Sequence, residues 1–179
     1  INKTSPQNPG CPIILMAYYN TVFRYGVERF CKRAKNLKVA GLIVPDIPQE
    51  EEKSEKFISM SLKYDIYPIR VVSPSSSIER LRINAKFAGG FIYCVSHFGV
   101  TGSKTNIDKK LTDYLQRVKK ITKLPVAVGF GIEKKEQIDR LQGIADIAIV
   151  GSAIIKNYNV GGIKKLSSFI KTLKESTIE

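Results

Sequence analysis

An α/β fold with a parallel sheet is what the sequence predicts, on three observations. Short apolar runs alternate with longer stretches of helical periodicity from end to end of the 179 residues. The apolar runs carry almost no polar interruption, as expected of strands covered on both faces. Glycines close the last two of these runs, at 129–131 and at 151. Strands separated by helices imply βαβ crossovers and a parallel sheet.

The elements follow in order. Residues 12–18 (PIILMAY) read as a buried strand, and 22–36 as a helix with Val22, Tyr25, Val27, Phe30 and Ala34 on or near one face. Residues 40–44 (AGLIV) form the next strand. The following helix, 49–63, opens on Glu50, Glu51 and Glu52, where carboxylates favour the positive end of the helix dipole. A strand at 67–73 leads to Ser77, which suits the N-cap of a helix through about 86. Residues 90–95 (GFIYCV) are the fourth strand, and a polar loop with two glycines spans 97–106. A helix over 107–122, a strand at 124–128 (LPVAV), a helix at 134–142 and a strand at 145–150 (ADIAIV) come next. A brief helical turn at 152–157 and an amphipathic helix at 163–174 end the chain. No linker, repeat or low-complexity block interrupts the pattern, so residues 1–179 are expected to form a single domain.

The strand ends select among parallel architectures. In (β/α)8 barrels the loops after strands seven and eight, with the start of a short extra helix, commonly form a phosphate site. Gly129-Phe130-Gly131 after the fifth run and Gly151-Ser152 after the sixth, followed by a short helix, fit those two loops. The first run is then strand three. The expected fold is thus an incomplete TIM (β/α)8 barrel, strands 3–8 with their helices, the first two βα units missing. A barrel takes roughly 250 residues, and a chain of 179 is short by about two such units. The start at Ile1 rather than Met points the same way.

Composition excludes several functions. The chain carries 29 Lys and Arg against 16 Asp and Glu, a net charge of +13. The pairs Lys109-Lys110, Lys119-Lys120, Lys134-Lys135 and Lys164-Lys165 are spread over several helices with acids among them. That reads as solvated helix faces, not as a nucleic-acid stripe with interleaved aromatics. The excess can still concentrate a phosphorylated substrate. No apolar run reaches the roughly eighteen residues of a membrane span. Cys11, Cys31 and Cys94 are scattered, without CxxC or a histidine cluster, so they are expected to be small buried hydrophobes in a reducing compartment.

Candidate site residues lie at strand ends. Gly131 and Gly151 offer backbone N–H groups with no side chain in the way, and Ser152 can cap the short helix or donate its hydroxyl to a phosphate oxygen. Each glycine could equally end its strand in a tight turn. Gly99-Val100-Thr101-Gly102-Ser103 is a lid or a plain surface loop. Tyr93 would face the barrel mouth, for an aromatic substrate or as core. His97, the only histidine, has no oriented carboxylate in view. Asp46, between Pro45 and Pro48, either caps the next helix or meets a partner. No Ser-His-Asp set, metal cluster or Walker loop is present, and no convincing acid/base pair, so no catalytic residue and no metal ligand is assigned.

Six ordered motifs carry a resemblance: 12–20 (PIILMAYYN), 23–26 (FRYG), 41–48 (GLIVPDIP), 93–96 (YCVS) with 99–102 (GVTG), 125–132 (PVAVGFGI) and 149–154 (IVGSAI). Together they resemble the tryptophan synthase α subunit family over nearly the whole chain. The resemblance implies a TIM barrel that cleaves indole-3-glycerol phosphate to indole and glyceraldehyde 3-phosphate by a retro-aldol step, in tryptophan biosynthesis, without a cofactor. It implies a β subunit partner in an α2β2 assembly, which holds pyridoxal phosphate. By position it makes Gly102, Gly131, Gly151 and Ser152 phosphate contacts, Tyr93 a pocket residue and Thr101 the lid threonine, with the Asp46 loop on the partner side. His97 stands where Arg is usual. The family's glutamate and aspartate of catalysis lie before the segment that matches Ile1, so the fragment alone is expected to be inactive. Cytoplasm or plastid stroma both fit. The alternatives are another phosphate-binding barrel, such as indole-glycerol-phosphate synthase or ribulose-phosphate epimerase, whose lysine or metal histidines are not found, and a non-catalytic interaction module for a β subunit.

Overall fold

A computed structural model describes residues 10–95, 109–129 and 131–177. The chain divides into two compact units. One comprises Ile1–Val71 with Ser77–Ile92, the other Val72–Ser76 with Tyr93–Glu179.

The first unit opens with β1 (Ile13–Met16), then α1 (Tyr19–Tyr25) and α2 (Val27–Asn36). The sequence predicts one helix over 22–36. Gly26 breaks it, because its backbone turns to φ +90°, a region that glycine enters at little cost. β2 (Val39–Ile43) pairs in parallel with β1, Leu15 opposite Leu42, and with β3 (Tyr67–Val72), Leu42 opposite Pro68. The stretch expected as one helix over 49–63 is three pieces: a 3₁₀ turn Gln49–Glu51, α3 (Glu52–Glu55) and α4 (Phe57–Lys63). The break falls at Lys56, which is left-handed at φ +54°. Glu52 compensates by capping α4: its carboxylate accepts from the Ile58 and Ser59 amides at 2.7 and 2.8 Å. α5 (Ile78–Phe87) starts on Ser77, whose hydroxyl accepts from the Arg80 amide as the sequence predicts. The core packs Val22, Cys31 and Ala34 from α1 and α2 against Leu42 of β2 and Phe57 and Ile58 of α4.

The second unit continues the alternation with β4 (Ile92–Val95), α6 (Lys109–Lys119), β5 (Val126–Gly129), α7 (Lys135–Asp139), β6 (Ile147–Ala148) and α8 (Ser152–Lys174). β5 and β6 are parallel, with Ala127 opposite Ile147 and Val128 opposite Ala148. β6 is much shorter than the expected 145–150; at its start the Asp146 side chain accepts the Val126 amide at 2.8 Å, while the Asp146 amide donates to the Val126 carbonyl at 2.9 Å. α8 is two helices joined at a kink, where Gly161 and Gly162 leave helical geometry. α6 also holds residues 72–76: Tyr114 donates to the Val72 carbonyl at 2.9 Å and Arg117 to the Pro74 carbonyl at 2.7 Å. Burial pushes the Cys94 thiol up to about 11, Tyr114 beside it opposing the shift. Cys31 and Cys94 are buried, but Cys11 is exposed, against the expectation of three buried cysteines.

Candidate functional site

The two glycine turns lie at the same end of adjacent parallel strands. Gly131 stands three residues beyond Val128 and Gly151 three beyond Ala148, and those two residues are register partners. The ladder runs past the strands proper, with the Ile149 amide donating to the Val128 carbonyl at 2.8 Å. The two turns therefore leave the same end of the strand pair. Gly131 is left-handed at φ +76°, a conformation that a side chain would strain. Gln137 folds back over the start of α7 and accepts from the Glu133 and Lys134 amides at 2.8 and 3.0 Å. That bracing fixes the turn that carries Gly131.

Gly151 is the N-cap of α8, and Ser152 is the first helical residue rather than the cap. A Cβ at Gly151 would meet nothing within 4 Å. The Ile154 and Ile155 amides already bond the Gly151 carbonyl, at 2.9 and 3.4 Å. Helix geometry leaves the amides before them, Ser152 and Ala153, without partners inside the helix. Ser152 is exposed and Ala153 buried, so an exposed serine and the positive end of a helix stand beside Gly151. Lys156 of α8 reaches Glu133 of the first turn at 3.8 Å, across the two loops.

Tyr93 joins this end of the second unit through a contact that the sequence does not reveal. A Cβ on Gly129 would lie 3.0 Å from the Tyr93 hydroxyl and 3.4 Å from its ring, so the phenol crosses β5 where a side chain is missing. Tyr93 is half-buried, and burial raises its pKa. Its neighbours Ile92 and Cys94 point the other way and are fully covered. Tyr93, Gly131, Gly151 and Ser152 thus belong to one unit, together with Gly129, whose packing against Tyr93 the sequence does not show. Thr101, Gly102 and His97 lie outside the described residues. Among the described residues no three His, Cys, Asp or Glu side chains assemble where they could hold a metal ion. The carboxylate nearest the turns in sequence, Glu133, is paired with Lys156.

Asp46 belongs to the first unit and caps neither its own following turn nor α3. Its carboxylate accepts the Tyr19 amide at 2.8 Å and so caps α1, twenty-seven residues back. The Tyr19 hydroxyl in turn bonds Glu55. Burial, and then the bond to Glu55, raise its pKa strongly.

The profile of the tryptophan synthase alpha chain family matches residues 1–177. The chain belongs to this family. The tryptophan synthase alpha chain of Desulfotalea psychrophila is 40% identical over 163 residues, which are 91% of this chain and 63% of the relative. The structure of Mycobacterium tuberculosis tryptophan synthase superposes with a TM-score of 0.85 at 31% identity, over 93% of this chain and 63% of that one. A chain from the tryptophan synthase α2β2 complex of Pyrococcus furiosus gives 0.79 at 33% identity, over 92% and 65%. The chain therefore spans about 63% of the length of the curated relatives it matches. The fold class is α/β, that of an incomplete (β/α)8 barrel. No helix among the described residues is long and apolar enough to cross a membrane.

Proposed function

We propose that this chain supplies the phosphate-binding side of an indole-3-glycerol phosphate lyase. Family membership supports the reaction class, and the pair of glycine turns at equal offsets from register partners carries the proposal for the site. The phosphate dianion sits between Gly131 and Gly151. The Ser152 and Ala153 amides and the Ser152 hydroxyl bond its oxygens, and the α8 dipole stabilises its charge. The half-buried Tyr93 ring lines the space for the indole. Thr101 and Gly102 serve as lid and further phosphate contact. Carbon–carbon cleavage releases indole and glyceraldehyde 3-phosphate, with no cofactor in this chain. A β subunit that holds pyridoxal phosphate consumes the indole, and Asp46 faces that partner. The likeness to the α2β2 complex supports this assembly.

Cleavage requires a group to protonate indole C3, a group to take the proton of the glycerol hydroxyl that becomes the aldehyde, and a group to take the indole N–H proton and return it as the carbon–carbon bond breaks. The resemblance assigns those tasks to a glutamate and an aspartate ahead of the segment that begins at Ile1. A polypeptide of these 179 residues alone is therefore expected to bind glycerol phosphate and to release no indole. The test measures both on one preparation: phosphate affinity by titration, and indole release from indole-3-glycerol phosphate with and without a β subunit. Indole release at the rate of a full-length relative overturns the division of labour. Loss of phosphate binding in folded protein overturns the site. Binding to a β subunit with neither activity favours the interaction-module reading.

A further inference from the structure

Arg70 lies inside β3 and is only 7% exposed. Its Nε donates to the Asn84 side-chain oxygen at 3.0 Å and its Nη2 to the Ile47 carbonyl at 3.1 Å. Asn84 is buried too, and its amide nitrogen donates to the Arg80 carbonyl at 2.8 Å, so its orientation is fixed. Among the described residues no carboxylate pairs with the guanidinium, and Glu52 and Glu50 act on it only through space. A buried charge is thus satisfied by two neutral oxygens. Stability alone does not call for this, since buried ionic groups replaced by apolar residues of similar volume often leave a protein as stable or more so.

What the guanidinium reaches is the informative part. Ile47 belongs to Val44-Pro45-Asp46-Ile47-Pro48, the exit of β2. Pro45 and Pro48 have no N–H to donate, so this turn has few hydrogen bonds of its own. It is tied on one side by the Tyr19 amide to Asp46, at 2.8 Å, and on the other by Arg70 to Ile47. Asp46 itself remains exposed between these ties.

We propose that Arg70 is a positioning residue, whose fork between Asn84 and the Ile47 carbonyl sets the pose in which the β2 exit loop presents Asp46. Only its functional consequence rests on the proposed partner-facing role of Asp46. The test compares wild-type protein with Arg70→Met/Asn84→Ala, which removes donor and acceptor together, and with Arg70→Lys, which keeps the charge without the fork. Amide exchange is read at Tyr19, which reports the Asp46 tie, and at Leu42 inside β2. The double variant should speed Tyr19 exchange at least tenfold while Leu42 changes less than threefold, with Arg70→Lys between. Unchanged Tyr19 exchange overturns the proposal, and so does equal acceleration at both amides, which marks a merely structural loss. In a second arm, affinity for a pyridoxal-phosphate-bearing β subunit should fall about tenfold in the double variant, with glycerol phosphate affinity intact. Faster Tyr19 exchange with unchanged partner affinity overturns the functional half. If wild-type protein binds no β subunit, the proposed partner reading fails, while the exchange arm still decides the role of Arg70.

Discussion

Replacing Gly151 by alanine separates a phosphate site from a mere strand-ending turn. The added Cβ meets no atom within 4 Å, and the backbone there has φ −115°, so the protein itself has room for it. Alanine is a poorer N-cap than glycine by up to about 1 kcal/mol. It also restricts the unfolded chain, which returns about 0.4–1 kcal/mol. Folding stability should therefore barely move. Binding should move, because the methyl enters the space beside the Ser152 and Ala153 amides that the anion needs. Losing one hydrogen bond to a charged group costs about 1.5–3 kcal/mol. At about 1.4 kcal/mol per factor of ten, that weakens glycerol 3-phosphate binding roughly ten- to a hundred-and-fifty-fold. Calorimetric titration gives the affinity, and a melt of the same sample gives the stability. An affinity within twofold of wild type, with an unchanged melting temperature, would show that no phosphate sits at the start of α8.

Four further outcomes are expected. Gly129→Ala places a methyl 3.0 Å from the Tyr93 hydroxyl, so the half-buried ring must shift by a few tenths of an ångström; the Tyr93 ring resonances should move, and unmoved resonances would mean that the phenol does not cross β5. Gly41→Ala is harsher, because its Cβ would lie 2.9 Å from Ile69 Cδ1 and 3.2 Å from the Tyr67 carbonyl, which is backbone; a loss of about 1–3 kcal/mol in denaturant unfolding is expected, and no loss would contradict the packing. For Asp146, burial raises the pKa, but the Val126 amide and then Lys119 outweigh it and hold the carboxyl below its ordinary value. A depressed folded value gives stability that is complete above the unfolded carboxylate range near 3.9; it should be lost as pH falls through the folded value, and Asp146→Asn should flatten that acid limb. Finally, Met16, Tyr18 and Phe23, close together in sequence at β1 and α1, are 61%, 71% and 59% exposed, so a polypeptide of these residues alone should self-associate; a monomer by sedimentation with cooperative melting would refute this.

The alternation of strands and helices was legible because strands covered on both faces read as unbroken apolar runs, and helices keep their period. The breaks inside the helices were not. At Gly26 and Lys56 the apolar period continues through a residue of positive φ, so periodicity alone joins what the backbone separates. Capping by neighbours in sequence was readable, as at Ser77. Capping from a distance was not, since the Asp46 carboxylate finds the Tyr19 amide twenty-seven residues away. Arg70 likewise reads as one charged residue in an apolar strand, and only the packed structure brings the Ile47 carbonyl to it. At the site, Gly131, Gly151 and Ser152 announced themselves as small residues at strand ends. Gly129 did so too, as the first residue of its turn, but the ring of Tyr93 that fills the room it leaves was not legible.

The register of β5 and β6 makes the glycines more than a motif. Parallel strands necessarily put their exits at one end, so two turns on one end carry little information. Equal offsets carry more. Val128 is opposite Ala148, and a glycine stands three residues beyond each, the spacing expected if a single anion is reached from both. A turn whose only task was to end its strand would need one of these features, a left-handed glycine as at 131, but not an unobstructed helix start at the same offset on the neighbouring strand. Gly151 has no left-handed backbone to explain it and no neighbour that a side chain would strike. A ligand that approaches the backbone closely would account for a missing side chain there, and the Gly151→Ala titration tests that reading.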